Sequence, residues 1–262
     1  MRSKFYSFLL LFSLVLLGCS ILLNFLLFNR AKQYYVELNG TRLDPVGLNV
    51  YPSVGQPKQI KDLLRVVFFG DSRSAAWLPP SPNKLKPRRY EFMNRGIGSQ
   101  TSIQTLQRFS QHVQPLNPDI IVIQVGVNDL KTVALFPGQT ETIIANCKTN
   151  IRQLVKAANS TGAIAIVSTV FPVGDVPLER RVFWSDAVEQ AVQSVNDDIK
   201  TLASDRVIVF DAFSLLANEQ GRLRPEYRTD ELHLNQAGYA ALNQKLEPLL
   251  ETIKLQSKSD KR

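Results

Sequence analysis

Four short blocks of this sequence hold residue types suited to nucleophilic chemistry. Gly70-Asp71-Ser72 closes an apolar run, and the glycine lets the backbone bend sharply there, leaving a serine hydroxyl at the end of the run. A serine hydroxyl is a poor nucleophile until a base takes its proton, and the base works best when a third group holds its ring. Histidine suits the task because its unperturbed pKa lies near neutrality. The chain has two, His112 and His233. His233 follows Asp230 by three residues, so one turn can present carboxylate and imidazole together: Asp230 would fix the Nδ1 tautomer while Nε2 faces Ser72. His112 lies at the far end of an amphipathic segment, on a side expected to face solvent, and reads as a surface histidine. Acyl transfer also needs donors aimed at the developing oxyanion. Asn128 offers a side-chain amide, the turn at Gly98-Ser99 offers backbone N–H groups, and Ser72 adds its own; Asp129 is expected to brace its loop rather than react. Plainer readings stand beside these. Asp71 or Ser72 could cap a helix starting near Ser74, and residues 230–235 could be a loop ending in a helix N-cap.

The elements around the blocks follow from periodicity. Residues 66–69 (VVFF) and 120–125 (IIVIQV) are short, continuous apolar runs of the kind buried on both faces of a parallel sheet. Further strands are expected at 89–94, 163–167 and 207–210. Helical stripes lie between them: Ile103, Leu106, Phe109 and Val113; Ile143, Ile144, Cys147, Ile151, Leu154, Val155 and Ala158; Val188, Ala191, Val192, Val195, Ile199 and Leu202. A last helix is expected over 236–253. This alternation predicts an α/β protein, a three-layer α/β/α sandwich around a five-stranded parallel, flavodoxin-like sheet of order 2-1-3-4-5. All four blocks then fall at the carboxyl ends of strands, where ligands bind in open α/β sheets. The Pro-rich stretch 77–87 reads as a loop, either a substrate-facing lid or a surface connection.

Ahead of this domain, residues 5–28 carry no charge over 24 positions, enough as a helix to span roughly 36 Å against a bilayer core of about 30 Å. The run is too long for a cleaved signal peptide, and it continues well past Cys19, against a lipoprotein box at Leu16-Leu17-Gly18-Cys19. A transmembrane signal anchor over 1–30 is expected, then a stalk or lead-in over 31–64, the catalytic domain over 65–253 and a basic tail over 254–262. Arg2 and Lys4 favour a cytoplasmic N-terminus and hence an extracytoplasmic domain. The net charge of +8 gathers at the flanks, the tail and residues 84–95, as membranes attract, and nucleic acid is not the expected partner. Two cysteines, one inside the apolar run, leave no disulfide within the domain, and no ligand set for a metal is visible. No cofactor is expected: there is no P-loop, no Gly-x-Ser-x-Gly elbow, and Gly96-Ile97-Gly98 lacks a third glycine.

Taken together, GDS at 70–72, NRGIGSQT at 94–101, GVND at 126–129 and DELH at 230–233 resemble the SGNH (GDSL) hydrolase superfamily in order and approximate spacing. The resemblance covers about residues 65–250. It implies a serine esterase, lipase or thioesterase on a flavodoxin-like sheet, with Ser72, Asp230 and His233 as triad and Ser72, Asn128 and the Gly98/Ser99 turn as oxyanion donors. Two departures stand out. Ser99 occupies a position where many relatives have glycine, and Arg73 replaces a common aliphatic residue, either as a surface ion-pair partner or as a contact for an anionic substrate. The expected activity is cleavage of an O-acetyl or short acyl ester on an envelope glycan or lipid. The alternatives are a lysophospholipase or acyl thioesterase, an O-acetyltransferase, and a non-catalytic envelope-binding module on the same fold.

Overall fold

Leucine and phenylalanine fill the N-terminal run, which holds no proline and only Gly18 and Gly40 as weak formers, and the result is one long helix, α1 (Arg2–Leu43). The computed structural model describes residues 2–52, 58–80 and 90–253. The chain divides into two units, Met1–Pro45 and Val46–Arg262. In the first, α1 runs 42 residues, about 63 Å, and is long and apolar enough to cross a membrane. Its large apolar side chains are exposed from Phe5 onward. Residues 31–43 continue the helix, held by a Gln33–Glu37 side-chain hydrogen bond of 3.0 Å and by Asn39 and Thr41 bonding back one turn.

The second unit begins with residues that dock rather than trail. Val46 O accepts from Gln100 Nε2 at 2.7 Å, and Tyr51 Oη donates to Gly96 O at 2.8 Å beneath the Arg95 guanidinium. There follow β1 (Leu64–Gly70), α2 (Ser72–Ala75), β2 (Tyr90–Gly96), α3 (Ser102–Gln107), α4 (Phe109–His112), β3 (Ile120–Gln124) and α5 (Val127–Leu130). Then come α6 (Thr140–Ser160), β4 (Ile164–Ser168), α7 (Ala187–Lys200), β5 (Val207–Phe210), α8 (Ala212–Leu216) and α9 (Gln236–Thr252). The five strands form one parallel sheet of order β2-β1-β3-β4-β5, the α/β topology expected from the sequence.

Strand pleating sorts the core into two layers. Val67, Phe69, Ile121, Ile123, Ala165 and Val167 face the buried stripes of α6 and α7. Val66, Phe68, Ile120, Val122 and Ile166 face Trp77, Leu216 and the Tyr239–Leu250 stripe of α9. β1, buried from its second residue onward, lies at the centre of this arrangement between β2 and β3.

Three expectations need correction or limits. The helix expected through Ile103, Leu106, Phe109 and Val113 breaks at Arg108 (φ −95°, ψ 2°), whose side chain turns inward beneath the sheet's carboxyl edge. His112 is not a surface histidine but wholly buried, because residues 46–52 cover the helix face a helical projection leaves bare. Leu48 O lies 3.2 Å from its Nε2, and the Tyr51 ring meets it edge-on at 5.4 Å. The Pro-rich loop starts from a fixed point, since Trp77 is buried and donates to Asn243 Oδ1 at 2.9 Å. Residues 81–89, with the rest of the proposed lid, the basic stretch 84–89 and the start of the second expected strand, lie outside the described residues, as does the tail 254–262.

Candidate active site

The Ser72 turn is built by steric exclusion. Gly70 sits at φ +156°, and a Cβ there would lie 1.7 Å from Gln124 O on the neighbouring strand. Across β2, a Cβ on Gly96 would lie 2.2 Å from Ala75 N, so the first turn of chain after β1 is pressed against the end of its neighbour. Asp71 caps the four-residue α2, its carboxylate accepting from Arg73 N at 2.9 Å. The capping role and the exposed-hydroxyl role thus fall to different residues: Asp71 caps, and Ser72 presents its hydroxyl, partly exposed, at the rim.

The structure brings three of the expected site residues into one chain of hydrogen bonds. Ser72 Oγ lies 3.0 Å from His233 Nε2, and His233 Nδ1 lies 2.8 and 3.0 Å from the two oxygens of Asp230. The Asp230 carboxylate also accepts from the backbone N–H groups of Leu232 at 2.8 Å and His233 at 2.7 Å. Burial by itself would raise its pKa; the bonds from His233 and these two N–H groups outweigh that and hold it below the usual carboxylate range. His233 and Asp230 side chains remain 40% and 39% exposed, so a substrate can reach them. In this order hydroxyl, imidazole and carboxylate can move a proton off the serine and stabilise the imidazolium that results.

The expected oxyanion donors come from the strands on either side of β1. Gly98 and Ser99 form an exposed turn after β2, with Ser99 at φ +62°, a left-handed conformation that glycine would hold without strain. Asn128, buried at the start of α5 after β3, spends one N–H on Gln100 O at 3.0 Å. Its other N–H makes no hydrogen bond among the described residues. Asp129 accepts from Ser102 N at 2.8 Å and Ser102 Oγ at 2.6 Å, anchoring the start of α3. Burial raises its pKa against those bonds.

Two arginines lie behind the rim, and periodicity flagged neither in its observed place. Arg108 Nη2 donates to Gly70 O at 2.7 Å and Nη1 to Arg95 O at 2.8 Å, tying the ends of β1 and β2 together. Its guanidinium also lies 4.3 Å from the centre of the Phe69 ring. Arg73 is neither a surface ion-pair partner nor a substrate contact: it is fully buried and donates to the carbonyls of Leu232 and Phe171. Burial lowers the pKa of Arg73 to about 10 and that of Arg108 to about 9, and pushes the fully buried Asp71 up to about 6 against the pull of Arg73. Sequence offered one signal for Arg73, a charged side chain next to a motif serine, and none for Arg108. Among the described residues no cluster of three or more His, Cys, Asp or Glu side chains is arranged to hold a metal ion.

A serine, a histidine and an aspartate in this order at the rim of a parallel α/β sheet form an arrangement suited to ester cleavage. Residues 68–241 match the model of the GDSL-like Lipase/Acylhydrolase family, and the chain belongs to that family. It is therefore an enzyme acting on ester bonds. Among solved structures, the fold is similar to a protein from Bacteroides fragilis provisionally described as an acylhydrolase (TM-score 0.65, 25% identity, 79% of this chain and 97% of that one). It is similar also to a GDSL-like lipase from Bacteroides thetaiotaomicron (0.64, 25%, 79% and 98%). An acetyl xylan esterase, AlAXEase, shares the fold at lower identity (0.56, 21%, 72% and 100%). No curated protein matches the chain.

Proposed function

We propose that this chain is a membrane-anchored serine esterase that works through an acyl-enzyme on Ser72. His233 Nε2 takes the hydroxyl proton as Oγ attacks the ester carbonyl, while Asp230 holds the ring and balances its charge. The tetrahedral oxyanion is met by the Ser72 N–H, the free Asn128 amide N–H and a backbone N–H of the Gly98–Ser99 turn. Collapse expels the alcohol, which takes the proton from His233. A water, deprotonated by the same imidazole, then releases the acid and restores the serine. The observation that carries this reading is the 3.0 Å contact of Ser72 Oγ with an imidazole whose other nitrogen is held by a carboxylate.

We assign residues 1–30 to the anchor, with the N-terminus cytoplasmic, and the hydrolase domain to the far side of the membrane. Its substrate would be an O-acetyl or short acyl ester on an envelope glycan or lipid. A second reading, cleavage of long acyl chains, has its own support. Leu135, Phe136, Leu178, Val182 and Phe183 are exposed on the segments that follow β3 and β4. The test is labelling of the full chain in detergent with a fluorophosphonate, alongside turnover of p-nitrophenyl esters from acetate to palmitate. Label on Ser72 and loss of both label and turnover in Ser72→Ala are expected. Turnover that survives Ser72→Ala removes the mechanism, and a rate that climbs with chain length replaces the short-acyl reading with the long-acyl one.

A further inference from the structure

The residue that follows the serine is gripped from four directions. Arg73 N–H donates to the Asp71 carboxylate at 2.9 Å, and its carbonyl accepts from Tyr239 Oη at 2.9 Å. Its side chain, wholly buried, donates from Nε to Leu232 O at 2.8 Å and from Nη1 to Phe171 O at 3.1 Å, with the guanidinium 5.3 Å from the centre of the Phe171 ring. Burying a guanidinium is costly unless its donors are matched, and an aliphatic side chain would fill the space without that cost. The cation makes no ion pair among the described residues; what it holds are two backbone carbonyls.

One of those carbonyls matters for the chemistry. Leu232 O belongs to the peptide unit that joins Leu232 to His233, and the N–H of the same unit donates to Asp230 Oδ1 at 2.7 Å. That peptide is therefore fixed at both ends, by Arg73 on the oxygen and Asp230 on the nitrogen. Two parallel rungs connect the segments: Ser72 Oγ to His233 Nε2, and, one residue along on one side and one back on the other, Arg73 Nε to Leu232 O. Tyr239 carries the grip on into α9, and Phe171 into the loop after β4.

We propose that Arg73 is a positioning residue for the ester-cleaving reaction: by holding the Leu232–His233 peptide from the position next to Ser72, it sets the separation between nucleophile and base. It touches no substrate. The inference rests on the triad reading above. A base displaced by about 1 Å can cost on the order of a hundredfold in rate, so the grip acts on turnover more than on substrate binding.

The test compares Arg73→Ala and Arg73→Lys with wild type, as full chains in detergent, for kcat and KM on p-nitrophenyl acetate and for melting temperature. Arg73→Ala is expected to lose about tenfold to a hundredfold in kcat with KM within about twofold. Arg73→Lys keeps the charge but lacks the fork that reaches two carbonyls, and is expected to lose about threefold to tenfold in kcat. Should Arg73→Ala not fold, Arg73→Lys decides by itself. A folded variant that melts lower yet keeps the wild-type kcat overturns the proposal, because Arg73 would then only support the fold. Ser72→Ala, assayed in parallel, separates the two ideas: turnover persisting there removes the triad whatever the Arg73 variants do.

Discussion

The two histidines of this chain sit in opposite surroundings. His233 is 40% exposed, with a carboxylate on one ring nitrogen and a serine hydroxyl on the other. His112 has no exposed surface; its Nδ1 lies 3.4 Å from Arg108 Nη1 and its Nε2 faces the Leu48 carbonyl. The difference teaches that partners and access, not residue type, assign the work. An imidazole at the rim beside a carboxylate and a hydroxyl is open to a substrate, whereas one closed off by residues 46–52 is not. The first region is open to a substrate, the second packed against its neighbours.

The sharpest way to break this contrast is to remove each ring in turn. His233→Ala is expected to lose about ten-thousandfold in kcat on p-nitrophenyl acetate, with little change in melting temperature. His112→Ala should do the reverse, costing about 1 to 3 kcal/mol in urea unfolding while kcat stays within about twofold. Similar kinetic losses in both variants would dissolve the distinction. Next in size, Asn128→Ala should cost about a hundredfold to a thousandfold in kcat through loss of one oxyanion donor, with Asn128→Asp no better because a carboxylate accepts rather than donates.

Asp71 and Asp230 differ in the direction of their pKa shifts. Burial holds the folded-state pKa of Asp71 at about 6, above its unfolded value, so its contribution to stability is complete below about pH 4 and is lost as pH rises through about 6. Asp230, held low by its hydrogen bonds, works in the opposite sense and loses its contribution as pH falls. The unfolding free energy of wild type minus that of Asp71→Asn should therefore drop by about 2 to 3 kcal/mol between pH 4 and pH 7, the Asp230 effect being common to both chains. A flat difference would mean that Asp71 keeps an ordinary pKa. The smallest effect concerns the turn after β2. Ser99→Gly should stabilise the fold by about 0.5 to 1 kcal/mol, by relieving a left-handed residue at φ +62°, as urea titration would register.

Much of this architecture was legible in the linear order of residues. The runs at 66–69 and 120–125 are apolar on every position because both faces of their strands are covered, and they became β1 and β3 at the centre of the sheet. The stripes on α6 and α7 could be read because a helix buries one side at fixed spacing. The residues of the rim could be named because a sheet of parallel strands sends every strand-ending block to the same edge. The Asp230–His233 pair is local, three residues apart, and so within the reach of sequence reading.

What escaped that reading has a common cause. Whether His112 is buried depends on Leu48, 64 residues away, and where Arg73 points depends on carbonyls 98 and 159 residues away. Periodicity sees one element at a time, and a polar side chain whose partners are backbone carbonyls leaves no complementary residue type to find. Residue order alone determined the five strands, their order in the sheet, the long stripes that became α6, α7 and α9, and the apolar helix at the start. The tertiary structure decided which polar groups went inside, because burial and hydrogen-bond satisfaction belong to the assembled chain and not to any stretch of it.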